Sequence, residues 1–223
     1  MAEITTCIET ANITSRPIRV MLVDDHAMVL RGLATFMMVF DDLQLVGEAE
    51  NGEAAIQLCA EVLPDVILMD MVMPDMDGAS ATRAICQKFP QVRVLALTSF
   101  TEVELIKSAL EAGAIGYLLK DVSAEQLERA IRAAVSGEAI ISVEVAQTLV
   151  EAAESPTAGF DLTDQEREIL TLMSRELNDV QISKKLAVST NTVKAIVSEI
   201  LFKLSTAYHG EAVTPAENCN TPD

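Results

Sequence analysis

The chain has 223 residues, more than one small domain needs and enough for two. Half of it is apolar, aromatics make up only 4% and Trp is absent, a composition suited to a soluble protein of helix and parallel sheet. A formal net charge of −18 argues against non-specific attraction to nucleic acid or to an anionic membrane surface.

The opening "MAEITTCIETANITSR" has no basic segment leading into a long apolar run, so no signal peptide is expected and residues 1–16 read as a disordered tail. From residue 18 a β-then-α rhythm repeats five times. The short apolar runs "IRVMLV", "LQLVGEA", "VILM", "VRVLALT" and "IGYLL" read as buried strands. Helix-period stretches at 27–40, 52–62, 79–89, 101–112 and 123–137 alternate with them. Thr101 with Glu104 and Ser123 with Gln126 have capping-box spacing. This alternation predicts an α/β fold, a doubly wound parallel sheet with helices on both faces. Cys7, Cys59, Cys86 and Cys219 lack metal-like spacing and read as reduced structural thiols. No apolar stretch approaches a membrane span, so a cytoplasmic protein without a membrane partner is expected.

A short helix over 142–152 precedes "EAAESPTAGF", 151–160, which has linker composition. Three helical segments follow, opening at Thr163 (with Glu166), Asn178 (with Gln181) and Ser189. The short "LAVST" between the last two forces a tight helix–turn–helix, so a small all-α domain is expected. In "STNTVKAIVSEILFKL" the residues Val193, Val197, Ile200 and Leu204 form the buried stripe. Asn191, Ala195, Ser198 and Phe202 point the other way. From Tyr208 the polar tail reads as disordered.

The chemistry gathers where strands end. Asp24 and Asp25 follow the first strand, Asp70 the third, Thr98 ends the fourth and Lys120 follows the fifth. A parallel sheet brings these positions to one edge. Crowded carboxylates there call for a cation, and Mg²⁺ tolerates one to three of them with water completing its octahedron. A lysine and a hydroxyl beside them are what a transferred phosphoryl group needs, and a central carboxylate can be its nucleophile. "PDMDGAS" contains a phosphatase-like Asp75-x-Asp77-Gly78. The strand ends at Asp70, however, with Pro74 between, so the segment reads as a turn into the next helix.

Over 17–138 the sequence resembles the receiver domain of two-component response regulators, on "VDDH" (23–26), "MDMVMPDMDG" (69–78), "LTS" (97–99) and "GYLLKD" (116–121). The resemblance implies phosphorylation of Asp70 by a sensor histidine kinase. It implies Mg²⁺ held by Asp25, Asp70 and the Val72 carbonyl, with Asp24 acting through water. Thr98 and Tyr117 would be the switch pair and Lys120 the phosphate partner, the Tyr117 ring entering space vacated by Thr98 on phosphorylation. Such a protein is not an enzyme beyond its own phosphotransfer and slow dephosphorylation. Apolar Val72 and Phe100 are expected to impede water and prolong the phosphorylated state.

"LTDQEREIL", "ISKKLAVSTNTVK" and "IxxKL" make 161–207 similar to the output domain of NarL/LuxR-type transcription factors. The resemblance implies phosphorylation-dependent DNA binding as a homodimer, with Lys184, Lys185, Thr190, Asn191, Lys194, Ser198 and Lys203 at the DNA. The sequence departs from the family pattern at Gln165 (arginine expected), Glu176 (glycine), Ile196 (histidine), Glu199 (asparagine), Phe202 (arginine) and His209 (arginine). No fourth helix is evident. Glu199, Phe202 and the acidic charge weaken the expected DNA affinity. The alternative is an output domain that no longer binds DNA and signals through protein contacts. The domain plan is a tail over 1–16, receiver 17–138, linker helix and linker 139–160, helix–turn–helix 161–207 and tail 208–223.

Overall fold

A computed structural model describes residues 16–153 and 162–206. Its elements in chain order begin β1 (Ile18–Val23), α1 (Ala27–Met37), β2 (Leu43–Ala49), α2 (Gly52–Val62), β3 (Val66–Asp70) and α3 (Gly78–Lys88). Next come β4 (Arg93–Thr98), α4 (Val103–Glu111), β5 (Gly116–Leu119), α5 (Ala124–Val135), β6 (Ile140–Ile141) and α6 (Val143–Ala153). The last three are α7 (Asp164–Met173), α8 (Asp179–Leu186) and α9 (Thr190–Thr206). The strands form one parallel sheet in the order β2-β1-β3-β4-β5-β6.

Period-two alternation divides the core between the two sheet faces. Val20, Leu22, Val66, Leu68, Leu95, Leu97 and Leu118 face α1 and α5, where they meet Leu30, Met37, Leu127 and Ile131. Met21, Ile67, Met69, Val94, Ala96 and Tyr117 face the other way, onto Ala55, Cys59, Ala81, Ile85 and Ile106 of α2, α3 and α4. That second core continues through Val145 and Leu149 of α6 to Ile169, Ile182, Val193 and Val197 of the last three helices. The two domains therefore share one apolar core.

Helix starts follow the cap chemistry. Asn51 accepts from the Ala54 amide at 2.9 Å and Asp77 from the Ser80 amide at 2.7 Å. Ser123–Gln126, Thr163–Glu166 and Asn178–Gln181 form complete capping boxes, and Ser189 accepts from the Thr192 amide at 3.0 Å. Thr101 does not cap α4. That helix begins one residue later, after Glu102, and no side chain caps it. The strand β6 is an addition to the expected five. Its two isoleucines are too short a run to show a period. The tails and most of the linker, with any helix beyond Thr206, lie outside the described residues.

Candidate functional site

All the strand-end residues meet at one edge of the sheet. Lys120 Nζ lies 2.6 Å from Asp24 Oδ2 and 2.7 Å from Asp70 Oδ2, so one ammonium bridges the ends of β1 and β3. Asp24 and Asp70 are both buried. The Val72 amide donates to the second Asp70 oxygen at 3.2 Å, and the His26 amide to Asp24 Oδ1 at 2.9 Å. The Lys120 amide donates to the Thr98 carbonyl at 2.7 Å, fixing the lysine's stem to β4.

These contacts set the charge state. Burial is the largest influence on Asp70 and raises its pKa; Lys120 and the Val72 amide pull it down, while Asp24 pushes it up again. The carboxyl lies above its usual range on balance. Lys120 is drawn down by burial but is held above its usual value by Asp24 and Asp70. The lysine is thus a fixed cation beside a carboxylate whose basicity is raised.

Ligand-capable atoms of Asp24, Asp25, His26 and Asp70 lie within 4.8 Å of one another. Asp25 Oδ1 is buried and receives no aligned hydrogen bond, although His26 Nδ1 lies 2.8 Å away. Three carboxylates with an unsatisfied oxygen fit a hard, oxygen-seeking divalent cation. Val72 follows Asp70 by two residues, at the same loop.

Gly78, read from the sequence as part of a turn, is a point of close backbone approach behind Asp70. A Cβ there would sit 2.0 Å from the Asp70 carbonyl oxygen and 2.8 Å from Met71 Cα. Both are backbone atoms, so the loop behind Asp70 can close only over glycine. The sole advance signal was its place just after the acidic loop.

Tyr117 is fully buried, and its hydroxyl donates to the Phe100 carbonyl at 3.1 Å. Burial pushes its pKa up to about 12, against the opposing influence of Thr98. Thr98 is buried beside it and accepts from the Phe100 amide at 3.3 Å. The ring expected to enter on phosphorylation is already inside. β6 and α6 pack along that flank of β5.

The helix–turn–helix residues fall into two groups. Lys184, Lys185, Asn191 and Ser198 are exposed, and Thr190 is half-buried. Lys194 Nζ, in contrast, is bonded to both carboxylate oxygens of Glu138, at 2.8 and 2.7 Å, across the domain boundary. Asp179 stands nearby; burial raises its pKa, Lys194 lowers it and Glu138 raises it again. Lys203 Nζ lies 2.9 Å from Glu166 Oε2, an ion pair inside the helical domain, so its first duty is to hold α9 against α7. Phe202 is 66% exposed. With Ser198 and Leu201 it lines a cleft of about 210 Å³ against Leu110, Ala114 and Ala139 of the sheet domain. The helix expected at DNA is docked on α4.

Comparison with known proteins agrees with this architecture. The family described as response regulator receiver domain matches residues 20–132, and bacterial regulatory proteins, luxR family, matches 161–216. The transcriptional regulatory protein LiaR of Bacillus subtilis (strain 168) is 38% identical, over 89% of this chain and 96% of that protein. The response regulator protein VraR of Staphylococcus aureus (strain NCTC 8325 / PS 47) is also 38% identical, over 88% and 94%. Among solved structures, the Salmonella typhimurium RcsB response regulator superposes with a TM-score of 0.59 at 25% identity, over 85% of this chain and 93% of that one. The signal receiver domain of NarL from Mycobacterium tuberculosis gives 0.53 at 34% identity, over 55% and 99%.

Proposed function

The chain belongs to the response regulators that join a receiver domain to a LuxR-type output domain, and from that premise we propose that phosphorylation of Asp70 governs when α9 is free to engage DNA. It is a regulator of the transcription-factor kind rather than a classical enzyme. The observation that carries the proposal is the pairing of Lys194, on the helix expected at DNA, with Glu138 of the receiver. While α9 rests on α4 with Lys194 paired to Glu138, that side of the helix is turned to the receiver and away from a major groove.

The chemistry proceeds from the site's geometry. An Asp70 oxygen attacks phosphorus in a phosphohistidine of a sensor kinase. The P–O bond forms, the P–N bond breaks with the electron pair leaving on the imidazole, and an acyl phosphate results. Asp24, Asp25 and Asp70, with the Val72 carbonyl, would hold Mg²⁺, which when bound offsets the charge of the incoming group. Lys120 exchanges its contact with Asp70 for a phosphoryl oxygen, and the Thr98 hydroxyl donates to another. Val72 and Phe100, both partly exposed at the rim, limit the approach of water and lengthen the life of the acyl phosphate.

On opening, Lys184, Lys185, Lys194, Thr190, Asn191 and Ser198 face DNA. Few phosphates are neutralised by so small a set, so useful affinity comes from a homodimer that doubles it. A cytoplasmic location accords with this role, and no helix among the described residues is long and apolar enough to cross a membrane. The test is a titration of the full-length chain with a random-sequence duplex pool at two salt concentrations. It is run with and without beryllofluoride, which mimics the phosphoryl group. Tighter, salt-sensitive binding with the mimic is expected. Absence of binding in both states at low salt would sink the proposal in favour of protein contacts.

A further inference from the structure

The sixth strand ties the buried tyrosine to the output domain by main-chain bonds. Tyr117 pairs in register with Ile141, and its carbonyl accepts from the Ser142 amide at 3.3 Å. Two residues earlier, the Ile140 amide donates to the Ile115 carbonyl, also at 3.3 Å. Gly116 makes this approach possible, since a Cβ there would lie 2.6 Å from the Ile140 carbonyl oxygen. Ser142 then begins α6, its hydroxyl accepting from the Val145 amide at 3.4 Å and its carbonyl from the Ala146 amide at 3.0 Å. Two bonds join α6 to α7 and its flank: Gln147 donates to the Ser174 carbonyl at 3.1 Å, and Arg167 to the Ala153 carbonyl at 3.3 Å.

We propose that β6, through Ser142 and Gly116, is the element that carries the state of the Thr98–Tyr117 pair to the output domain. The proposal rests on the reading of Asp70 as the phosphoacceptor. Three properties suit β6 to the task. It has only two residues, at a sheet edge, and the bonds at its two ends, from the Ile140 and Ser142 amides, are long for N–H···O contacts. It can therefore part from β5 without unfolding the receiver. The strand is also bonded to the switch tyrosine's own peptide group, so a displacement of that backbone reaches it directly. Finally, its far end is the first turn of α6, and a shift there moves the helix as a rigid body against α4 and α7.

The experiment uses the full-length chain with Mg²⁺, with and without beryllofluoride. In the wild type, hydrogen exchange at the Ile140 and Ser142 amides should change on addition of the mimic. Unchanged exchange at both amides overturns the proposal. Ser142→Pro removes the donating N–H, and Gly116→Ala pushes the strand away; Ser142→Ala keeps the N–H and serves as the conservative counterpart. The ratio of affinities for the duplex pool with and without the mimic, expected to be about tenfold in the wild type, should fall to about one in Ser142→Pro and Gly116→Ala. Ser142→Ala should keep the wild-type ratio, and all three should still bind beryllofluoride. A wild-type ratio in Ser142→Pro and Gly116→Ala would overturn the connection. Changed exchange at the two amides without any DNA response would support the connection while removing the DNA reading. Failure to bind beryllofluoride in the wild type would remove the phosphoacceptor reading on which the proposal stands, and overturn both.

Discussion

Glu176 shows how one residue can depart from a family pattern and keep its geometry. It stands where the LuxR pattern has glycine, and it adopts φ 64°, the left-handed conformation that glycine enters without steric cost. A side chain there crowds its own carbonyl. Glu176→Gly should therefore raise stability by about 0.5–1 kcal/mol, the relief of strain exceeding glycine's greater unfolded-state entropy. A denaturant titration checks this; a midpoint that stays put or falls would show that Glu176 makes a compensating contact. The acidic site was readable at this scale because its chemistry needs particular residue types at strand ends. Glu138 and Asp179 were not readable, because their importance comes from a lysine more than a dozen residues away in sequence.

Elements were legible wherever local chemistry decides them. Three capping boxes formed as their spacing demanded, whereas Thr101-x-x-Glu104 did not, because packing of Ile106, Ala109 and Leu110 into the core sets where α4 begins. Propensity yields to tertiary contacts at such ends. The α7 box has a second use. Glu166 is buried and raised in pKa by that burial, but Lys203, the Thr163 amide and the Thr163 hydroxyl outweigh it and hold the carboxyl below its ordinary 4.5. The folded state then binds fewer protons than the unfolded one, so this stabilisation is complete above 4.5 and is lost as pH falls through the lower folded value. Glu166→Gln should cost about 1–3 kcal/mol at neutral pH. The variant should also lose part of the wild type's acid sensitivity. Parallel stability curves for the two proteins would contradict the assignment.

For the whole molecule, the sequence showed two domains but not their contact, because no local pattern encodes which surface α9 rests on. The Lys194–Glu138 pair is about one-third exposed on both sides, so it is a weak latch that salt and solvent screen. Glu138→Gln should raise DNA affinity without beryllofluoride only about twofold to fivefold, the range of an exposed pair. The effect should shrink at high salt. A gain of several orders of magnitude would mean the pair, rather than the apolar contact of α9 with α4, dominates closure.

The proposed sharing of Lys194 between Glu138 and DNA would have a consequence in the opposite direction. Binding free energies are reciprocal, so whatever factor the phosphoryl mimic adds to DNA affinity, DNA adds to the receiver's affinity for that mimic. Target sites then act as effectors of the receiver itself. A promoter would not only select the mimic-bound protein but would also tighten the receiver's hold on the mimic.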